Sequence, residues 1–194
     1  MIPSIATQRL LLRTPTIDDL PGYLAYRNEP ISLASQMMDM VDEESARSFL
    51  SAQSRLSDDA PGWRMFSVER LGYPGMIGEV GIFIAEADPQ QGDMGWWLHS
   101  DHRRQGYAAE AAKALAEWYF AEHGLHRITA SCLSTNAASR STMRRIGMRL
   151  ESHSIESRFG AGRWHDEVGY ALLKKEWVVM RDKPHMAAQP SGRR

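Results

Sequence analysis

Trp96-Trp97-Leu98-His99-Ser100-Asp101-His102-Arg103-Arg104-Gln105-Gly106-Tyr107-Ala108-Ala109-Glu110-Ala111 runs from the end of a strand, through a short basic loop, into a helix. The first amides of such a helix have no intrahelical acceptor and point at whatever lies before them. With the helix dipole behind them they form an anion site. Gly106 lets a ligand approach the backbone closely, Ala108 keeps the contact face small, and Arg103 and Arg104 add two formal charges. The combination suits a diphosphate. It also describes a solvated basic turn before an ordinary helix, and local chemistry alone does not separate the two. Two other diphosphate loops are excluded, because there is no Gly-Lys-Ser/Thr ending of a P-loop and no G-x-G-x-x-G turn.

Upstream, Thr7–Thr14 reads as a strand, with Leu10, Leu11 and Leu12 between Arg9 and Arg13. Asp19 is placed to cap a helix with Pro21 in its first turn, ending near Asn28 before Pro30. Asp42 caps a second helix over Glu43–Ser54, and Ser57–Trp63, which includes Asp58 and Asp59, is a polar loop. Met65–Arg70 and Ile77–Ala85 are strands about a Gly72–Gly75 turn, Glu86–Gly92 is a turn, and Met94–Ser100 is a Trp-rich strand. The helix that follows the loop spans Tyr107–His123 and closes at Gly124. Arg127–Leu133 is a strand, and Asn136 caps a short helix that ends at Gly147. Leu150–Phe159 and Trp164–Lys174 form a hairpin across Gly160–Arg163. The order is α+β locally, an α/β fold with one long antiparallel run and a later crossover. Residues 1–181 read as one domain. Residues 182–194 lack periodicity and read as a disordered tail.

The chain has 194 residues, enough for one sizeable core, and a formal net charge of -1. That charge gives no pull toward nucleic acid or a membrane surface. The one cysteine, Cys132, excludes an intramolecular disulfide and a cysteine metal cluster. The seven histidines have no metal-ligand spacing, so no metal is expected. There is no signal-peptide pattern and no apolar run of membrane-spanning length, so a cytoplasmic location is expected.

Arg103-Arg104-Gln105-Gly106-Tyr107-Ala108 resembles the [Q/R]-x-x-G-x-[G/A] acetyl-CoA signature of the GNAT acetyltransferases. Thr7-Gln8-Arg9-Leu10-Leu11-Leu12-Arg13 resembles the opening strand of their RimJ/RimL-like branch. Asn136-Ala137-Ala138-Ser139 followed by Arg145-Ile146-Gly147-Met148 is similar to that branch's N-x-x-S…K-x-G-F segment, with Arg for Lys and Met for Phe. The three motifs fall in family order over about residues 7–177. The resemblance implies a mixed central sheet, splayed at the acetyl-CoA site and flanked by helices. The pantetheine arm then lies in the splay like an added strand. It implies main-chain contacts to that arm from Trp97, Leu98 and His99, and pyrophosphate contacts from Arg103, Arg104, Gln105, Gly106, Tyr107 and Ala108. Asn136 and Ser139 are then expected to face the arm and the thiol. Acetyl-CoA is the implied co-substrate.

An amine must lose its proton before it attacks a thioester. For a Lys-like amine that costs roughly 4–5 kcal/mol at pH 7, and a carboxylate can take the proton, directly or through water. Asp93 and Glu79 are the candidate bases, each with the alternative of a solvent-facing strand acid. Glu110 is better explained by the helix dipole. This family often uses a Tyr in the helix after Asn136 as acid. None is present, so Ser139 is the candidate acid or thiol-positioning group. Cys132 reads as a core residue.

Three readings of the acceptor stay open, and the first of them is preferred. Asp39, Asp42, Glu43 and Glu44, with Trp63, Trp96 and Trp164, suit a small cationic amine such as an aminoglycoside-type antibiotic. The RimJ/RimL resemblance suits the α-amine of a protein N-terminus. A non-catalytic acyl-CoA-binding regulator is the third. A monomer or a homodimer is expected.

Overall fold

The computed structural model describes residues 4–36, 39–57 and 60–182. In chain order its strands are β1 (Ile5–Ala6), β2 (Leu10–Arg13), β3 (Gly62–Arg70), β4 (Tyr73–Ala85), β5 (Asp88–Leu98), β6 (Arg127–Leu133), β7 (Arg149–Gly160) and β8 (Arg163–Leu173). Its helices are α1 (Leu20–Arg27), α2 (Pro30–Gln36), α3 (Glu43–Ser54), α4 (Tyr107–Glu122), α5 (Ala137–Arg145) and α6 (Lys174–Asp182). The strands form one sheet in the order β1-β2-β3-β4-β5-β6-β8-β7. Among the described residues only β5 and β6 pair in parallel, joined by the crossover through α4. The mixed sheet with flanking helices agrees with the expected fold.

Side-chain alternation divides the sheet into two faces. Leu10, Leu12, Phe66, Val68, Val80, Ile82, Met94, Leu98, Ile128 and Ala130 enter the main core beneath α4, which answers with Ala111, Ala112, Leu115, Tyr119 and Phe120. On the opposite face, Leu20, Tyr23, Tyr26 and Leu50 of α1 and α3 form a second, smaller core with Met76 and Trp97. Further along that face the sheet is open. Thr129, Ser131, Glu167 and Gly169 are half-buried or exposed, while Ile128, Ala130 and Val168 beside them are buried.

Several elements differ from the sequence reading. The expected Thr7–Thr14 strand is split, because the Thr7 hydroxyl binds both main-chain groups of Leu10 and turns the chain between β1 and β2. Asp19 sits at the N-cap position of α1 without capping it. Its carboxylate is taken by Arg13 at 2.7 and 2.8 Å, by the Thr16 amide at 2.9 Å and by the Ser67 hydroxyl at 2.8 Å. Pro30 starts α2 rather than ending structure, as its missing N–H allows. Asp88–Gly92, read as a turn, belongs to β5; Pro89 is tolerated there because β6 joins only from Gln91. α6 was not anticipated. Asp58, Asp59 and the tail beyond Asp182 lie outside the described residues.

Candidate active site

β5 and β6 share three rungs, Gln91–Arg127, Gly92–Ile128 and Asp93–Thr129, and then part. Beyond Asp93 the strands run on to Leu98 and Leu133 without pairing, which leaves a wedge open at their C-terminal ends. The ladder with β4 fixes which main-chain groups face it. His99 N–H donates to Ile77 O at 2.9 Å, so by antiparallel alternation His99, Trp97 and Gly95 spend their main chain on β4. Trp96 and Leu98 turn theirs toward the wedge, as does the Met94 carbonyl, while the Met94 N–H closes the last rung with Thr129. Of the three residues expected to contact a ligand through the main chain, Leu98 alone faces the opening; Trp97 and His99 are turned to β4.

At the mouth the chain makes a short turn, Ser100–His102, and then enters α4. Arg104 (φ 60°) and Gly106 (φ 82°) both take left-handed conformations. Such reversals curl successive amides around a common centre and make an anion-binding concavity. From Arg104 to Ala109 no backbone N–H finds an acceptor among the described residues. The flanking amides are satisfied, Arg103 by Ser100 O at 3.1 Å and Glu110 by Gly106 O at 3.0 Å. The bare run includes Gln105, Tyr107 and Ala108, all expected at this site. Arg104 is exposed, so its charge is available to an anion.

Arg103 is used differently from the expectation. Its Nε donates to Leu98 O at 2.9 Å and its Nη2 to Ser32 Oγ at 2.8 Å, with Glu29 at 3.3 Å. It fastens the loop to α2, and Nη1 alone is left for a ligand. Gln105 Nε2 donates to Asp101 O at 3.0 Å, and Gln105 O accepts from Arg9 Nη1 at 3.0 Å. The Tyr107 ring is buried beneath the Arg9 guanidinium, 4.6 Å from its centroid. Glu110 accepts from Thr7 Oγ1 at 2.6 Å, Arg9 N at 2.9 Å and Arg9 Nε at 2.7 Å. That carboxylate ties α4 to the first turn of the chain and is not poised for catalysis.

Asp93 stands at the apex of the wedge on the open face, half-buried, and accepts from Thr129 Oγ1 at 2.9 Å. Burial pushes its carboxyl above the usual range, the Thr129 hydrogen bond opposes this, and the Glu167 charge adds to it. Glu79 is on the same face but under α1, 3% exposed. Burial pushes its carboxyl up to about 7, against Arg27, whose Nη1 lies 3.7 Å away. Arg27 in turn stacks 4.1 Å over Trp97. Oε2 of Glu79 has no partner among the described residues. The structure therefore separates the two candidate bases, with Asp93 open to the wedge and Glu79 enclosed.

Asn136 caps α5, its Oδ1 accepting the Ser139 amide at 3.0 Å. The half-buried Ser139 hydroxyl has no partner among the described residues. Thr129 to Leu133 is four residues of strand, about 13 Å, so Ser139 lies at the mouth and Asp93 at the apex. Cys132 is half-buried, and its thiol is pushed up to about 11 by burial against the opposing charge of Arg140, which excludes a ready thiolate. One carboxylate was missed. Glu167 pairs opposite Leu133 at the mouth, on the open face, with no ion pair among the described residues. Its only sequence signal was an acid alternating with Val168, which any exposed strand can carry.

Among the described residues there is no cluster of His, Cys, Asp and Glu that could hold a metal, and no helix is long and apolar enough to cross a membrane.

The acetyltransferase (GNAT) domain model matches residues 9–149. The N-acetyltransferase YnaD of Bacillus subtilis is 31% identical over 89% of this chain and 98% of its own length. The crystal structure of a GNAT-family acetyltransferase from Bacillus anthracis superposes with a TM-score of 0.79 at 27% identity, covering 89% of this chain and 99% of that one. RimL, a ribosomal L7/L12 α-N-protein acetyltransferase solved in complex with coenzyme A, shares the fold with a TM-score of 0.76 at 21% identity, covering 88% and 98%. The chain therefore belongs to the GNAT acetyltransferase family, and it is an acetyl-transfer enzyme.

Proposed function

We propose that the chain moves the acetyl group of acetyl-CoA onto a primary amine, and that the acceptor is the α-amine of a polypeptide N-terminus. The observation that carries the donor half is the run of bare amides from Arg104 to Ala109 at the mouth of the β5–β6 wedge. A diphosphate fits those amides with Arg104, and the arm of the coenzyme fits the wedge edge at Leu98, Trp96 and Met94. RimL, solved with coenzyme A, supports this use of the fold.

The acceptor half rests on the open face. Thr129, Ser131, Gly169 and Gly95 make a low floor, with Trp63 and Phe83 packed together on one side and the β7–β8 hairpin on the other. An extended peptide can lie along such a trough. The α-amine gives its proton to Glu167 near the mouth, or through water to Asp93 at the apex, and its nitrogen attacks the thioester carbonyl. The main-chain N–H of Trp96 is available to the oxyanion. The carbon–sulfur bond then breaks, and the Ser139 hydroxyl hydrogen-bonds the departing sulfur, which takes up the released proton.

A small cationic amine is the second reading, favoured by Asp93 and Glu167, which have no cationic partner among the described residues, and by exposed Trp63 and Trp164. Its other supports weaken. Asp42 is spent on capping α3, Glu43 on Arg47, and Trp96 packs against the core. Acetyl-CoA turnover read as free thiol, over N-terminal peptides, aminoglycosides and polyamines, tests both. Turnover of peptides supports the first reading, and turnover of aminoglycosides alone replaces it with the second. Tight CoA binding without turnover of any of these amines replaces both with an acceptor of another class.

A further inference from the structure

We propose that Glu29 is a positioning residue that couples occupancy of the acetyl-CoA loop to the segment on the acceptor side that carries α2; this rests on the donor reading above. The chain leaves α1 at Asn28 and returns at Val41. The Asn28 side chain closes that excursion by binding both main-chain groups of Val41, each at 2.8 Å. The excursion is then tied to the loop at its first residue. Glu29 Oε1 accepts the Ser100 hydroxyl at 2.6 Å and the Ser100 amide at 3.0 Å, with His99 Nε2 at 3.3 Å. Glu29 Oε2 faces Arg103 Nη2 at 3.3 Å. Ser32, one turn into α2, accepts from the same Nη2 at 2.8 Å.

Arg103 completes the link. Its Nε holds Leu98 O, the carbonyl at the wedge mouth, and its Nη1 has no partner among the described residues. A phosphate oxygen can take Nη1 without breaking either the Leu98 or the Ser32 contact. A bound diphosphate therefore fixes the guanidinium, which fixes Ser32 and Glu29, which fix α2. Glu29 suits this role because its carboxylate stays ionised. Burial pushes its pKa up, but the Ser100 hydrogen bonds and the His99 and Arg103 charges outweigh this and hold it below the usual range. Glu29 touches neither the reacting carbon nor the amine. It acts through Arg103 and Ser100, and it makes donor binding the event that sets the acceptor side.

The test is amide hydrogen exchange with and without saturating CoA on the full chain, for the wild type, Glu29→Gln and Glu29→Ala, with CoA affinity from calorimetry. In the wild type, CoA slows exchange both at 104–109 and at 29–36. In Glu29→Ala the slowing at 104–109 persists, the slowing at 29–36 is lost, and CoA binds about fivefold more weakly, the low end of typical couplings. Glu29→Gln falls between, since its oxygen still accepts from Ser100 but carries no charge for Arg103. A merely structural role would lower the melting temperature of Glu29→Ala and leave the CoA response of 29–36 intact, and that result overturns the proposal. So does unchanged or faster exchange at 29–36 in wild type with CoA bound. Absence of any CoA effect at 104–109 overturns the donor reading itself, and the coupling with it.

Discussion

Thr129 donates its hydroxyl to Asp93 Oδ1 at 2.9 Å, across the last rung that β5 and β6 share. The strand pair ends on a carboxylate whose second oxygen is left to the wedge. Glu167, at the other end of the same face, is close enough for its charge to raise the Asp93 pKa.

That relationship sets a pH test. A base works in its ionised form, so the raised Asp93 pKa moves the acid limb of the rate profile above that of an ordinary aspartate. Glu167→Gln removes a raising charge, and the limb moves to lower pH. Asp93→Asn lowers kcat/KM at pH 7 by about 10²-fold or more, with a much smaller loss at pH 9, where more of the amine is already neutral. Equal losses at both pH values would remove Asp93 from the role of base. The profiles are read with whichever amine the turnover panel identifies.

Gly106 is the loop glycine whose backbone does not suit a side chain. At φ 82° a side chain is strained by about 1–2 kcal/mol, and a Cβ there would stand 3.4 Å from Arg9 Nη2. Gly106→Val is expected to weaken CoA binding by at least tenfold in calorimetry while the protein stays folded. Undiminished affinity would mean that the loop does not bind the coenzyme through its backbone.

Glu79 gives the fold an inverted pH dependence. Its carboxyl is raised to about 7 in the folded chain, mainly by burial, from an ordinary value of 4.5. Between those values the unfolded chain has lost the proton and the folded chain has kept it. Its contribution is present below 4.5 and declines as pH rises toward 7. Urea midpoints of the wild type should fall over that window relative to Glu79→Gln. The difference amounts to roughly 2–3 kcal/mol, and parallel curves would refute the assignment.

Asp19 works the other way. It is 4% exposed, and burial, which raises its pKa, is outweighed by Arg13, Thr16 and Ser67, so the net shift is downward. Its stabilisation is full above the ordinary aspartate range, near 3.8, and is lost as pH falls through the lowered value. Asp19→Asn removes the charge opposite Arg13 and should cost about 3 kcal/mol in chemical denaturation at pH 7. A cost below 1 kcal/mol would mean that Glu69 compensates.

Much of this architecture could be read from the chain because its signals are local. Asp42 before Glu43–Ser54, Gly124 after α4, and Asn136 before α5 each satisfy backbone groups within a few residues, and each sits where the spacing requires. The Arg103–Ala108 loop was legible for the same reason. Contacts between distant segments were not. Asp88-Pro89-Gln90-Gln91-Gly92 has the composition of a turn, and only pairing with β4 makes it strand. Arg103 looked like a phosphate ligand, but Ser32 and Glu29, some seventy residues earlier, take most of its donors. Glu167 carried no spacing that set it apart. Its place beside the wedge follows from β8 lying between β6 and β7, and no short stretch of sequence encodes that order.

The parted strands have a thermodynamic consequence. Folding alone leaves the wedge-facing main chain of Trp96, with the Met94 carbonyl and the Leu98 N–H, without a neighbouring strand, so the native sheet is complete only when something lies between β5 and β6. A ligand that fills this gap binds the folded chain and not the unfolded one. It therefore adds stability that grows with the logarithm of its concentration, about 2.7 kcal/mol at a hundredfold excess over Kd. The melting temperature of this enzyme is then a gauge of how much coenzyme surrounds it.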